Sequence, residues 1–424
     1  MGINGEITFP GDKSISHRAL MFAALADGES RMSNLSTGVD VQSTRKCLEA
    51  CGIDIWDEEN IVVVKGGQFS DPTEPLDCRN SGTSTRLLIG LLGGQGINAT
   101  LLGDDSLSSR PMNRVLDPLS QMGLKSENND GKLPITIHKS ELTGIQYKSP
   151  VASAQIKSAV LLAGLGSIGR TSVTEPLLSR DHTEKMLSGL GADVSVNGFT
   201  ASVSGLSFPL SNFKLSVPGD PSTAAFFAAA AALIPNSELV LKRVLVNPTR
   251  TGFFAALEKM GAGIDYLNKW DEAGEQIGDL KIFHQRLTGI NITKDNVPGL
   301  IDELPVIAIL ATQAEGETEV RGAEELRVKE CDRIHAVCSN LKRMGADILE
   351  LDDGFIINGP TPLKDANIET FHDHRIAMTF TIAGMIADGD VVLDHPECAS
   401  ISYPEFYDEL ERLLATENTK GTKK

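Results

Sequence analysis

The sequence predicts an α/β or α+β protein made of six repeated units in two halves. Three observations predict it. A loop running into an apolar helix recurs six times, a helix ending in glycine before a strand recurs five times, and β-rich runs such as IVVVKGG, ADVSV, FTASVSG and DVVLD lie between them.

The first pattern appears in order as PGDKSISHRALMFAALADG from Pro10, NSGTSTRLLIGLL from Asn80 and SAQIKSAVLLAGL from Ser153. PGDPSTAAFFAAAAAL from Pro218, DELPVIAILAT from Asp302 and DHRIAMTFTIAG from Asp373 complete the series. Measured from Gly11, Asn80, Ser153, Gly219, Asp302 and Asp373, the gaps are 69, 73, 66, 83 and 71 residues. The second pattern is LEACGIDI, LSQMGLKS, LSGLGADV, LEKMGAGI and LKRMGADI. Its glycines, Gly52, Gly123, Gly191, Gly261 and Gly345, stand 71, 68, 70 and 84 apart. Glycine directly after a helix predicts a left-handed cap. PGDKS and PGDPS, 208 residues apart, each follow an extended segment (GEITF and FKLSV) and each open three units. A duplicated three-unit domain explains that symmetry, with the simplest cut at Gly219.

Composition narrows the class. A chain of 424 residues predicts two domains, and 41% hydrophobic with 23% charged residues is ordinary for a globular protein. The longest apolar candidate, Ala224 to Leu233, is too short to span a membrane. The start MGINGEITF lacks the pattern of a secretory signal, and Glu6 stands where a myristoylation motif needs Ser or Thr. Cys47, Cys51, Cys78, Cys331, Cys338 and Cys398 form no CxxC pair, and no His/Cys pair matches the spacing of Cys47 and Cys51. Reduced, buried thiols and a cytoplasmic location are expected, with no metal, and the last residues, ATENTKGTKK, read as a solvated tail.

A formal charge of −18 argues against nucleic-acid binding. Yet the loops are basic, with Lys13, Arg18, Arg86, Arg110, Arg114, Lys157, Arg180, Arg250, Arg327, Lys329, Arg333 and Arg375. Surface ion pairing explains several of these. A helix start also presents unpaired N–H groups and a positive dipole end, which bind phosphate or carboxylate. For any single loop, capping by Ser14, Ser81 or Ser222 suffices. Six such ends in register, three with Lys or Arg one turn in, point to a site for small anions. Arg110, Arg180 and Arg250 recur every 70 residues near second-type helices, and for Arg250 a structural role is preferred. ELRVKECDRIHAV, from Glu325, is helical by pattern, which places Lys329 and Glu330 on one face with Arg333. Asp302 opens the fifth apolar helix, and His374 and Arg375 open the sixth.

GDKSISHRA, NSGTSTRL, SRPMNRVLDPL, SAQIKSAVLLAGL, SRDHTEKML, VPGDPSTAAF, NPTRTG, ELRVKECDR and DHRIAM, in this order, closely resemble the 5-enolpyruvylshikimate-3-phosphate synthase family in its bacterial second-class type. The match runs from Pro10 to the YPEF at Tyr403. The related UDP-N-acetylglucosamine enolpyruvyl transferases fit less well, lacking KSISHR, and a non-catalytic anion-binding relative is the other alternative. The resemblance implies a two-domain enolpyruvyl transferase fold of class α/β, an inside-out α/β barrel of six βαβαββ units, three per domain. Residues 1–12 with 219–424 would form one domain and 13–218 the other, with the active site in the cleft between them.

It also implies a reaction. The enolpyruvyl group of phosphoenolpyruvate passes to the 5-hydroxyl of shikimate 3-phosphate, with loss of phosphate through a tetrahedral intermediate. By resemblance, shikimate 3-phosphate meets Lys13, Ser14, Arg18, Ser153, Gln155, Arg180, Asp302 and Lys329. Phosphoenolpyruvate meets Lys13, Gly82, Arg110, Gln155, Arg333 and Arg375. Asp302, Glu330 and Lys13 are the implied catalytic groups: Asp302 for the hydroxyl proton, and Glu330 with Lys13 for C3 and the leaving phosphate. The two carboxylates can exchange these roles. No cofactor, metal, nucleic-acid or membrane partner is implied, and a monomer is. Two positions bear on phosphoenolpyruvate: Ile401 stands where the family's other branch has lysine, and Gly82 where alanine in some relatives crowds glyphosate. Leu87 replaces that branch's proline.

Overall fold

The computed structural model describes residues 2–272 and 274–420. The chain divides into two compact units. One comprises Met1–Pro10, Pro218–Trp270 and Gln276–Lys424; the other comprises Gly11–Val217 with the hairpin tip Asp271–Glu275.

The unit Gly11–Val217 carries three sheets of one design. Leu76–Asp77 runs parallel to Ala99–Leu102, which pairs antiparallel with Lys132–His138, and Lys125–Asn129 completes the hairpin. Gln146–Lys148, Arg170–Thr174, Thr200–Ser204 and Val194–Asn197 repeat that order. In the first sheet, Ala26–Ser33, Ile61–Gly66 and Asp54–Glu58 take the last three places. The leading parallel strand there comes from far along the chain, as Leu210–Ser211 and Lys214–Ser216.

Helices Lys13–Ala24, Gly82–Gly94 and Ala154–Gly164 lie within this unit, and nearly all their residues are buried. A helix apolar on all sides belongs in a core. The second and third meet closely at Gly90, where a Cβ would lie 2.1 Å from the Ala159 carbonyl oxygen. Only glycine lets the two backbones approach so far.

The other unit repeats the scheme. Asn4–Thr8 is the leading parallel strand for Glu238–Leu245, in register Asn4 with Glu238, and Glu275–Phe283 and Gly263–Glu272 follow. Asn291–Ile292, Gly316–Val320, Gly354–Gly359 and Ile348–Leu351 form the next sheet. The last keeps only the parallel pair Lys364–Ile368 and Asp388–Leu393. The chain then continues into a 3-10 turn, Pro396–Ile401, and helix Phe406–Lys420. That helix takes in much of the expected tail, whose residues 421–424 lie outside the described residues.

Helices Pro221–Leu233, Leu304–Gln313 and His374–Gly384 pack on one another in this unit. Every residue of Pro221–Leu233 is buried, its alanines leaving room for neighbouring helices. The five helix-ending glycines all take positive φ, from 85° at Gly345 to 104° at Gly123. No described helix is long and apolar enough to cross a membrane, and all six cysteines are free, with Cys331 the least buried.

Candidate active site

In the unit Gly11–Val217, Asp12 caps the first helix by accepting from the Ile15 N–H at 2.8 Å. Lys13 and Ser14 follow at the helix mouth, both half-buried. The Lys13 ammonium pairs with Asp40. Arg18, one turn further, turns into the interior: Nε donates to the Thr183 hydroxyl (2.7 Å), and the two terminal nitrogens donate to the Ser14 carbonyl (2.8 Å) and the Ser158 hydroxyl (2.6 Å). A guanidinium has five N–H donors, so two stay available beyond these three bonds. Burial lowers Arg18 to about 10, Glu184 and Asp12 oppose that, and the neighbouring cation Arg180 adds to it. Arg180, two residues before helix His182–Gly189, is thus among the charges that act on Arg18.

The second loop builds a second group in this unit. Ser81 caps helix Gly82–Gly94, and a Cβ on Gly82 would stand 2.7 Å from an Arg86 terminal nitrogen and 3.7 Å from one of Arg110. Arg110 donates to Asn80 Oδ1 at 2.7 Å. Arg86 donates to Gln155 Oε1 at 2.8 Å, and Gln155 Nε2 donates to Thr83 at 2.9 Å. Gly82, Arg110 and Gln155 thus gather around Arg86, a loop cation that sequence reasoning gave no ligand. Its signal was position: it lies one turn into a small-residue helix start. Ser153 caps the next helix through a long 3.5 Å bond to the Ile156 N–H.

The other unit holds the carboxylates. Asp302 lies in a 3-10 turn, Ile301–Glu303, directly before helix Leu304–Gln313. Its Oδ1 is 3.4 Å from Arg333 and 4.0 Å from the Lys329 ammonium, and its Oδ2 is 3.7 Å from Arg375. Arg375 also donates to the Asp302 carbonyl at 3.2 Å. Arg333 is 1% exposed, donating to Glu330 at 2.6 Å and through Nε to Asp373 at 2.8 Å. Burial disfavours its charge, and Asp373, Glu330 and Asp302 more than offset this, holding the guanidinium above its ordinary value. Asp373 is held low: burial pushes it up, and Arg333 together with His374 outweighs that.

One expectation is corrected here. Glu325 to Arg333 is not a continuous helix: Glu324–Val328 is a 3-10 turn, Lys329 is extended, and the α-helix starts at Arg333 behind its cap Asp332. Asp332 accepts from the His335 N–H at 3.0 Å, so a strong N-cap interrupts the run. Glu330 still reaches Arg333, whereas Lys329 points to Asp302. Asp373 was read only as the start of the sixth helix. It caps that helix through the Arg375 N–H (2.8 Å) and also anchors Arg333. Arg250 takes a structural place, 3.0 Å from Asp220.

Among the described residues, Asp181, His182 and Glu275 bring possible metal ligands within 4.8 Å of one another. A 2.8 Å hydrogen bond between His182 Nδ1 and Glu275 accounts for one of these approaches. Each unit by itself is suited to anions, with helix starts and guanidinium groups beside its carboxylates.

The family model described as EPSP synthase (3-phosphoshikimate 1-carboxyvinyltransferase) matches residues 1–410. A 3-phosphoshikimate 1-carboxyvinyltransferase of Persephonella marina is 48% identical over 422 residues, covering 97% of this chain and 98% of its own. One from Sulfurihydrogenibium is 47% identical over 420 residues, with 97% of each chain covered. The solved EPSP synthase of Acinetobacter baumannii has a TM-score of 0.88 at 41% identity, over 97% of this chain and 96% of that one. The enolpyruvyl transferase NikO of Streptomyces tendae, at 20% identity and a TM-score of 0.76, shares the fold, with 97% of this chain and 95% of its own covered. On full-length kinship and a common α/β fold, the chain belongs to the EPSP synthase family.

Proposed function

We infer that this chain transfers the enolpyruvyl group of phosphoenolpyruvate to the 5-hydroxyl of shikimate 3-phosphate and releases phosphate, a step of aromatic amino acid biosynthesis. The observation that carries this is near-half identity along the whole chain to named 3-phosphoshikimate 1-carboxyvinyltransferases. The motif wording SRPM, RDHTEK and NPTRTG supports the second-class type. We take the domains as 1–12 with 219–424, and 13–218, both sets of site residues serving one pair of substrates, in a cytoplasmic monomer.

The roles follow from charge and placement. Both substrates carry a phosphate and a carboxylate, so gathering them needs fixed cations. Lys13, Ser14, Arg18, Ser153 and Arg180 bind shikimate 3-phosphate, joined by Gln155 and Lys329. Gly82, Arg110, Arg333 and Arg375 take phosphoenolpyruvate, with Lys13 and Gln155 reaching it also. Asp302 accepts the 5-hydroxyl proton as that oxygen adds to C2, while Glu330 delivers a proton to C3. In the elimination Glu330 takes a proton back from C3, and phosphate departs beside Lys13, the hydroxyl proton passing from Asp302 to the departing phosphate or to solvent. Asp302 lies within 4.0 Å of Lys329 and 3.7 Å of Arg375, so its charge is held next to the anions it serves.

The test is phosphate release from phosphoenolpyruvate in metal-free buffer, with and without shikimate 3-phosphate. Release that requires shikimate 3-phosphate is expected. Release driven instead by a UDP-sugar acceptor, or none with tight ligand binding, overturns the assignment.

A further inference from the structure

Behind the helix starts at Ser153 and His182 lie three buried charged side chains with no part in the chemistry above. Lys157, on helix Ala154–Gly164, is 2% exposed, and its ammonium lies 2.7 Å from Glu175 and 2.9 Å from Glu184. Charges taken out of water this completely persist only when paired and hydrogen-bonded. Two carboxylates against one ammonium leave an excess negative charge, and Arg18 balances it. Arg18 donates to Thr183, beside Glu184, and to Ser158, beside Lys157. Among the charges that act on Arg18, Glu184 is its strongest support. Arg18, Lys157, Glu175 and Glu184 together are neutral.

Glu175 carries the geometry. Its Oε1 accepts from the Ser153 backbone N–H at 3.0 Å and from the Ser179 hydroxyl at 2.6 Å, and its Oε2 accepts from the Ser179 N–H at 3.5 Å. The Lys157 ammonium also lies 3.5 Å from the Ser179 carbonyl. One carboxylate therefore ties a helix-capping serine to the residue directly before Arg180.

We propose that Glu175, clamped by Lys157, is a positioning residue that holds Ser153 and Arg180 at the spacing that receives the phosphate of shikimate 3-phosphate. This rests on the assignment of Ser153 and Arg180 to that phosphate. Glu175 touches no substrate itself; it acts through Ser153 and the Ser179–Arg180 backbone.

The experiment is steady-state kinetics of full-length Glu175→Gln and Ser179→Ala, with Ser153→Ala and Arg180→Ala as controls. Glu175→Gln keeps an oxygen for Ser153 but turns an amide N–H toward Lys157 and leaves one unbalanced positive charge. Its KM for shikimate 3-phosphate is expected to rise about tenfold, while KM for phosphoenolpyruvate stays within about twofold. Ser179→Ala deletes one hydrogen bond without touching the charges, so it perturbs the fold less than Glu175→Gln, and raises the same KM about threefold. An unchanged KM for shikimate 3-phosphate in Glu175→Gln and Ser179→Ala, or an equal rise in both KM values, overturns the positioning role. If Ser153→Ala and Arg180→Ala also leave that KM unchanged, the phosphate assignment itself is wrong. If they raise it while Glu175→Gln does not, only the positioning role falls.

Discussion

Asp302 sits where Lys329, Arg333 and Arg375 converge, and its removal affects binding and chemistry in opposite ways. Deleting the carboxylate leaves the cations less neutralised, which favours anionic ligands, but takes away the proposed proton acceptor. Asp302→Ala is expected to bind shikimate 3-phosphate within about threefold of the parent while turnover falls by roughly 10²–10⁴. Calorimetry beside single-turnover assays checks both halves, and normal turnover removes Asp302 from the mechanism. Gly82 sets a different constraint. A methyl there would press on the Arg86 guanidinium at 2.7 Å, the far end of a side chain that can move, so the loop survives while the space around it shrinks. Because Arg86 also donates to Gln155, the shift reaches a side chain we propose to meet both substrates. Gly82→Ala should weaken inhibition by glyphosate more than it raises KM for phosphoenolpyruvate, and an unchanged inhibition constant would sink the idea.

Helix Pro221–Leu233 shows how an element is held from outside its own sequence. Phe227 meets Phe9 at 5.6 Å, Phe406 at 5.5 Å and Tyr403 at 6.1 Å between ring centroids. Residues from both chain ends thus pack on one fully buried ring. Phe227→Ala opens a cavity that backbone adjustment cannot fill and should cost about 3–5 kcal/mol, read as a shifted denaturation midpoint. A loss below ~1 kcal/mol would mean the cluster collapses onto the gap. The helices were legible because their starts and ends carry local chemistry, but of the capping serines expected only Ser81 caps: Asp12 and Asp220 cap where Ser14 and Ser222 were expected, and those serines lie inside the helices, while Ser153 and Asp373 cap two others. The break before Arg333 was less legible. Charged residues at helical spacing mimic a continuous face, and only the capping preference of Asp332 argues otherwise. The Arg333–Asp373 pair joins residues 40 apart, and nothing local to either one encodes it.

At the scale of the whole molecule, the six-fold recurrence of helix starts was visible in the sequence, but strand pairing was not. Asn4–Thr8 joins Glu238–Leu245, and Lys214–Ser216 joins Ala26–Ser33, because a strand's partner is chosen by tertiary packing rather than by its own residues. Buried titratable groups are likewise invisible until the fold exists, and they shape its response to acid. His17 is fully buried in one unit, its Nδ1 bonded to Thr44, which continues to Ser84. His374 is buried in the other. Burial lowers His17 from 6.5 to about 3 and His374 from 6.5 to about 4, the nearby Asp40 and Asp373 opposing this only in part. Both folded values lie below the unfolded one, so at intermediate pH the unfolded chain binds the extra protons. The stability they contribute is complete above about 6.5 and is lost as pH falls through that window toward 4 for His374 and 3 for His17. Each histidine contributes a slope of up to about 1.4 kcal/mol per pH unit to its own unit. Denaturant midpoints measured from pH 7 to pH 4 should therefore fall, and His17→Gln should flatten the fall by one proton's share even if its midpoint at pH 7 is lower. Parallel profiles for the parent and His17→Gln would show that His17 is protonated in the folded chain, against the burial that defines its place.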